Sequence, residues 1–90
     1  MDTLIYILQD CDEPKSYSSM RIYLVTTDID RLHQVIRDRI AKGDYPVDGE
    51  ENVQTALERW DEIITKGVDP YHLQDHLTYA AISIFEDGVL

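Results

Sequence analysis

The chain has 90 residues, of which 43% are hydrophobic, and 18 acidic side chains outnumber 8 basic ones to give a formal net charge of −10. This length and hydrophobic fraction predict one folded domain over residues 1–90 and argue against a disordered tail. The charge repels nucleic-acid phosphates and anionic lipid, so it argues against direct nucleic-acid or membrane binding and favours a protein partner with a basic surface.

Two features of the N-terminal region bear on the cellular compartment. Cys11 is the single cysteine, so no disulfide can form within the chain. The first ten residues contain no basic leader, and their apolar run over residues 4–8 is too short for a signal peptide or a membrane span. We therefore expect a cytoplasmic protein.

The first strand is predicted over residues 3–9, where apolar side chains alternate between two faces. One face carries Leu4, Tyr6 and Leu8, and the other carries Ile5 and Ile7. A strand that is apolar on both faces is typical of a central strand covered on both sides. Residues 10–19 follow as a polar loop, longer than most hairpin connections.

A second strand over residues 21–26 leads directly into the first helix. Thr27 or Asp28 can cap the start of this helix, and Gly43 is a natural left-handed stop at its end. Its apolar residues recur at steps of three and four, which places them on one face. They are Ile29, Leu32, Ile36 and Ile40.

A second helix is predicted from about Glu50 to Lys66, with Asp48 and Glu51 resembling a capping box. Asp69 and Pro70 then open a short third helix over residues 71–76. The last strand is predicted over residues 78–86, with Ile82 and Ile84 opposed to Ala81 and Phe85.

This order, β-β-α-α-(α)-β, predicts an α+β domain. We expect a three-stranded, mainly antiparallel sheet with two main helices and one short helix packed on it. Because the first and last strands are apolar on both faces, either the helices divide between the two faces or the second face is buried in a homodimer.

The sequence contains no catalytic or phosphate-binding motif, so we expect no enzymatic activity and no cofactor. His72 and His76 have the spacing of two metal ligands on one helical face, but no third ligand stands at a diagnostic distance. Structural or solvent-facing histidines are the simpler interpretation. Cys11 lies between Asp10 and Asp12, whose charges raise the pKa of a thiol and reduce its reactivity.

The acidic side chains are unevenly distributed. Residues 44–62 contain seven of them against Arg59 alone. On the second helix they fall opposite the apolar face, where a row of carboxylates could imitate nucleic-acid phosphates and occupy a basic groove. An ordinary solvated helix face is the alternative interpretation. The candidate partner-binding residues are Asp48, Glu51, Glu58, Asp61 and Glu62.

In its size, its acidity, its α+β layout and its lack of a catalytic motif, the whole chain resembles the small accessory proteins of phages and mobile elements, such as anti-CRISPR and antirestriction proteins. The resemblance implies an inhibitor of a nucleic-acid-handling protein, since several such proteins act by acidic mimicry of DNA. It assigns no role to any individual residue.

Three hypotheses follow from the sequence. The first is a non-enzymatic acidic inhibitor that binds a basic, nucleic-acid-handling protein. The second is an immunity-type or regulatory module that binds one specific protein through its sheet or its long first loop, including Tyr17, and that is homodimeric through its sheet. The third is a small metal-dependent enzyme that uses His72 and His76.

Overall fold

The computed structural model describes residues 3–12, 14–47, 49 and 52–86. Its helices and strands confirm the predicted α+β class and order. The strands are β1 (Leu4–Asp10), β2 (Arg21–Thr26) and β3 (Ala80–Glu86). The helices are α1 (Ile29–Ala41), α2 (Val53–Thr65) and two 3₁₀ helices, Tyr17–Ser19 and Pro70–His76.

The sheet is antiparallel throughout, with the strand order β2-β1-β3, so β1 is central as predicted. The pairing of β1 with β3 is regular, from Leu4 opposite Glu86 to Asp10 opposite Ala80. The pairing with β2 is interrupted where Leu8 faces Leu24 but Gln9 faces Ile22. Strand β2 therefore contains one additional residue, Tyr23, at this point, and this irregularity is a β-bulge.

Helix α1 begins and ends where its sequence predicts. The Asp28 side chain accepts a hydrogen bond from the backbone N–H of Asp30 at 3.0 Å, which satisfies one of the free donors of the first turn. Gly43 follows the helix with φ of +84°, a left-handed conformation that glycine adopts without a Cβ clash.

Helix α2 starts later than predicted. Its N-cap is Asn52, whose side-chain oxygen accepts a bond from the backbone N–H of Thr55 at 2.9 Å. Helix α2 therefore begins at Val53 and not at about Glu50 as predicted, because Asn52 supplies the capping oxygen that the prediction assigned to Asp48, four residues earlier. Asp48 and Glu51, the residues of the predicted capping box, lie outside the described residues.

The core lies on one side of the sheet. Tyr6 and Leu8 of β1 form a single buried cluster with Ala80 and Ile82 of β3 and with the inward faces of α1, α2 and the second 3₁₀ helix. The alternative in which the helices divide between the two faces is therefore wrong. The opposite face of the sheet carries Ile5 and Ile7, which are half-buried.

The second 3₁₀ helix covers the outer edge of β3. Its Gln74 side chain accepts a hydrogen bond from the backbone N–H of Ile82 at 2.8 Å, so a donor of the edge strand finds a partner. Lys15, in the first loop, donates to the carbonyls of Gln74 and Leu77, each at 2.9 Å. The ammonium group of Lys15 thus links the first loop to the second 3₁₀ helix.

A polar cluster joins β1, α1 and the segment that follows α1. The Tyr45 hydroxyl donates to Asp10, and Arg39 also donates to Asp10 at 2.7 Å. The Arg39 guanidinium lies 4.2 Å from the centre of the Tyr23 ring, so the bulge supplies a cation–π partner. Burial raises the pKa of Tyr45 and the bond to Asp10 raises it further, which keeps the hydroxyl protonated as a donor.

We expect Tyr45→Phe to lower the free energy of unfolding by about 1–2 kcal/mol, because Asp10 loses a donor that is buried with the tyrosine ring. Tyr71→Phe is the matched control, since it removes a hydroxyl from a side chain that is 54% exposed. Urea denaturation would measure both. Equal stability of the two variants would contradict the importance of this cluster.

Candidate functional site

The predicted acidic face lies on the outer surface of α2. Ala56, Trp60 and Ile63 bury the inner face of this helix. Because an α-helix repeats every 3.6 residues, Glu58 and Glu62 fall one turn apart on the solvent side, and Asp61 lies beside them. All three carboxylates are exposed, whereas the other two predicted contact residues, Asp48 and Glu51, lie outside the described residues.

Asp61 forms an ion pair that joins the two main helices. Arg37 of α1 donates to its two carboxylate oxygens, from Nε at 3.1 Å and from a terminal nitrogen at 3.4 Å. The hydrogen bond to Asp61 raises the pKa of Arg37 above its usual value. Both side chains remain about half exposed, so this pair orients the carboxylate more than it stabilises the fold.

Glu62 and Glu58 differ in how their charge is compensated. The Lys66 ammonium lies 2.7 Å from Glu62, one helical turn away, and the pKa of Glu62 is lowered by the bond to Lys66 and by the charge of Arg59. Glu58 accepts a hydrogen bond from the neutral amide of Gln54 at 3.1 Å. The acidic face is therefore partly neutralised by its own neighbours.

Sequence reasoning missed a groove between α1 and α2. It has a volume of about 360 Å³, and its walls include Asp30 and His33 of α1 and Trp60 and Asp61 of α2. Asp30 of α1 thus lines the same groove as Asp61 of α2, together with the Arg37 guanidinium. No pattern in the sequence indicates this placement, because α1 carries two acidic residues against three basic ones and the contact depends on how the helices pack.

His33 is a half-buried residue in this groove. Its ring meets Trp60 edge-on, with the ring centres 6.3 Å apart, and its backbone carbonyl accepts a bond from the indole N–H at 3.3 Å. Burial lowers the pKa of His33, although the nearby Asp30 acts in the opposite direction. His33 therefore lies at the boundary between the buried face of α1 and solvent.

The structure does not bring His72 and His76 onto one face. They belong to a 3₁₀ helix, in which three residues make one turn, so a spacing of four residues rotates the second side chain by about 120°. His72 lies 3.5 Å from Asp75, whereas His76 faces a cleft that also contains Arg59 and Lys66. Across the described part of the chain, no three His, Cys, Asp or Glu residues form a group that could hold a metal ion.

Cys11 is buried, and burial is the largest cause of the raised pKa of its thiol. Asp12 and Asp10 raise the pKa further, as predicted from the sequence, whereas Lys15 lowers it. Its backbone N–H donates to the carbonyl of Tyr79 at 3.1 Å, which extends the pairing of β1 with β3. Neither the burial nor the pKa favours a nucleophile.

Within residues 3–12, 14–47, 49 and 52–86, no helix has the length and apolar character needed to cross a membrane.

Comparison with models of known protein families gave no match, and neither the curated proteins nor the solved structures include one that is significantly similar to this chain.

The lowered pKa of His33 predicts a pH dependence of stability. The unfolded chain binds a proton at His33 near pH 6.5, whereas the folded chain resists protonation. The contribution of neutral His33 to the free energy of unfolding is therefore complete above pH 6.5 and is lost as the pH falls below that value. Relative to His33→Gln, the wild-type chain should therefore lose stability between about pH 7.5 and pH 5.5. Unfolding in urea, followed by the fluorescence of the single tryptophan, measures this difference. A difference that does not change with pH would contradict it.

Proposed function

We propose that the protein is a non-enzymatic inhibitor whose acidic helical surface binds a basic, nucleic-acid-handling protein. One observation carries the proposal: Glu58, Asp61 and Glu62 are exposed on α2, and Asp30 of α1 lines the same groove as Asp61, together with Arg37. We name these four residues the acidic surface. It is built on two helices that are packed together, so its carboxylates are held by a rigid support.

The electrostatics of the whole chain support this function. A net charge of −10 steers a basic partner toward the molecule and repels nucleic acid. The ion pairs of Asp61 with Arg37 and of Glu62 with Lys66 are exposed, and such pairs contribute little to stability. A partner's Arg or Lys can therefore compete for these carboxylates at a small cost in folding free energy.

The nature of the inhibitor follows from the same surface. Carboxylates one helical turn apart offer a basic groove a series of negative charges without any base to read, so the partner's phosphate-binding residues would be occupied regardless of sequence preference. This is the mode of action of an anti-CRISPR or antirestriction protein that mimics DNA. It requires no cofactor and no catalytic residue on this chain.

The test is capture of the partner on immobilised protein from a nuclease-treated lysate of the host cell, with elution by a salt gradient and identification by mass spectrometry. We expect a basic nucleic-acid-binding protein that elutes at moderate salt, because exposed charge contacts are screened. The double variant Glu58→Lys, Glu62→Lys should weaken its binding by about tenfold or more, since two attractive contacts become repulsive.

The control for this double variant is a charge reversal away from the acidic surface. Asp75→Lys makes the same change at an exposed position of the second 3₁₀ helix, and it should leave the affinity within about twofold, the range of a peripheral charge. Circular dichroism must show that both variants remain folded. Unchanged affinity of the double variant, or a partner that resists high salt, would overturn the proposal.

A second candidate function is supported by the first loop. Asp12 accepts bonds from the backbone and hydroxyl of Ser16, at 3.0 and 2.9 Å, and the 3₁₀ helix that follows presents Tyr17 with 92% of its surface exposed. An ordered loop that displays one aromatic ring suits an immunity-type or regulatory module with one specific partner. In that case Tyr17→Ala would abolish capture, and salt would have little effect.

A further inference from the structure

The open face of the sheet is mostly apolar and carries no charged side chain, although the chain is strongly acidic. The register places the residues of this face in β1 opposite those of β2 and β3, and none of the eight is charged. They are Ile5, Ile7, Gln9, Ile22, Val25, Ala81, Ser83 and Phe85. Ile22 is 66% exposed, Val25 57% and Phe85 40%. We call these eight residues the open sheet face.

We infer that the open sheet face binds a second copy of this chain, so that two sheets pack face to face between two outer helical layers.

The distribution of charge favours a second copy as the occupant. A partner of opposite charge would find no ionic contact on the open sheet face. Two copies, each with a charge of −10, repel one another through most approaches, but this face lies opposite the acidic helices. Packing through it turns both acidic surfaces outward, away from each other, and leaves both available to a basic partner.

Two of the three rows of the face have a shape that is complementary to their own reverse, and the third row holds Ile5 and Phe85. Val25, Ile7 and Ser83 stand in one row across the strands, and Ile22, Gln9 and Ala81 stand in the next. Each of these two rows therefore runs from a large apolar residue on β2 to a small residue on β3. A two-fold axis along β1 places β2 of one copy over β3 of the other, so that Val25 lies over Ser83 and Ile22 over Ala81.

The size of the face sets the strength of this dimer. With strands about 4.8 Å apart and a rise of about 3.3 Å per residue, three strands of this length present on the order of 300–400 Å² per copy. Two copies then bury less than the roughly 1,200 Å² of a stable specific interface, so the dimer is weak and depends on concentration.

The first experiment is sedimentation equilibrium between about 10 µM and about 1 mM chain, which brackets the affinity expected for so small an interface. The average mass should rise from 10.4 kDa toward twice that value. Added salt should strengthen the association, because it screens the repulsion between two acidic chains. A chain that remains monomeric throughout would overturn the inference.

Two valine variants localise the interface. Val25→Glu places a charge in the interface twice, once from each copy, and should weaken the association by about tenfold or more. Val53→Glu is the matched control, since Val53 is 40% exposed at the start of α2, and it should associate like the wild type. Equal association of the two variants would overturn the inference.

A crosslinking test fixes the orientation of the two copies. In a Cys11→Ala background, a mixture of Val25→Cys and Ser83→Cys chains should form a heterodimer joined by a bismaleimide that spans about 10 Å, because packed sheets lie about that far apart and a direct disulfide is too short. Crosslinking of Val25→Cys with itself instead of with Ser83→Cys would overturn the proposed axis.

The outcomes are independent of those for the acidic surface. The double variant Glu58→Lys, Glu62→Lys should dimerise at least as well as the wild type, and Val25→Glu should still capture the basic partner. Salt has opposite effects on the two interactions, since it weakens partner binding and strengthens dimerisation. Failure of one therefore leaves the other measurable.

Discussion

The burial of only one face of the central strand is the constraint on which the rest of the structure depends. Tyr6 and Leu8 place their side chains in the core, and both main helices and the second 3₁₀ helix contribute to the same buried cluster. A sheet covered on one side divides the surface into a helical side that carries charge and a sheet side that does not. The two proposed interactions use these two sides separately.

Polar contacts hold the loops and edges around this core. Arg39 connects α1 with Asp10 at the end of β1 and lies over the Tyr23 ring that the bulge supplies. Lys15 fastens the first loop to the second 3₁₀ helix, and Gln74 covers the outer edge of β3. These contacts give a small domain a defined surface, and the proposed binding through fixed charges requires such a surface.

The acidic surface also illustrates how packing modifies a charge pattern. Along the sequence, residues 44–62 carry seven acidic side chains against Arg59 alone. In the folded chain, Arg37 from α1 reaches Asp61, Lys66 turns toward Glu62, and Asp30 joins from the neighbouring helix. The surface is therefore less negative on α2 and wider than the sequence indicates, and it borders a groove that Asp30 and Asp61 line together with Arg37.

The sequence by itself determined the local elements and the fold class. The alternation in β1, the Asp28 cap and the Gly43 stop act through neighbouring residues, so they can be recognised without the rest of the chain. The predicted start of α2 was wrong because both Asp48 and Asn52 have short side chains suited to capping a helix, and hydrophobic periodicity does not distinguish between the two positions. A spacing of four residues places His72 and His76 on one face only in an α-helix. The segment that contains them begins at Pro70 and forms a 3₁₀ helix, whose Gln74 side chain bonds to β3. Only the tertiary structure decided which face of the sheet is covered and which carboxylates of α1 and α2 line the same groove. Both features depend on contacts between residues that are distant in the chain.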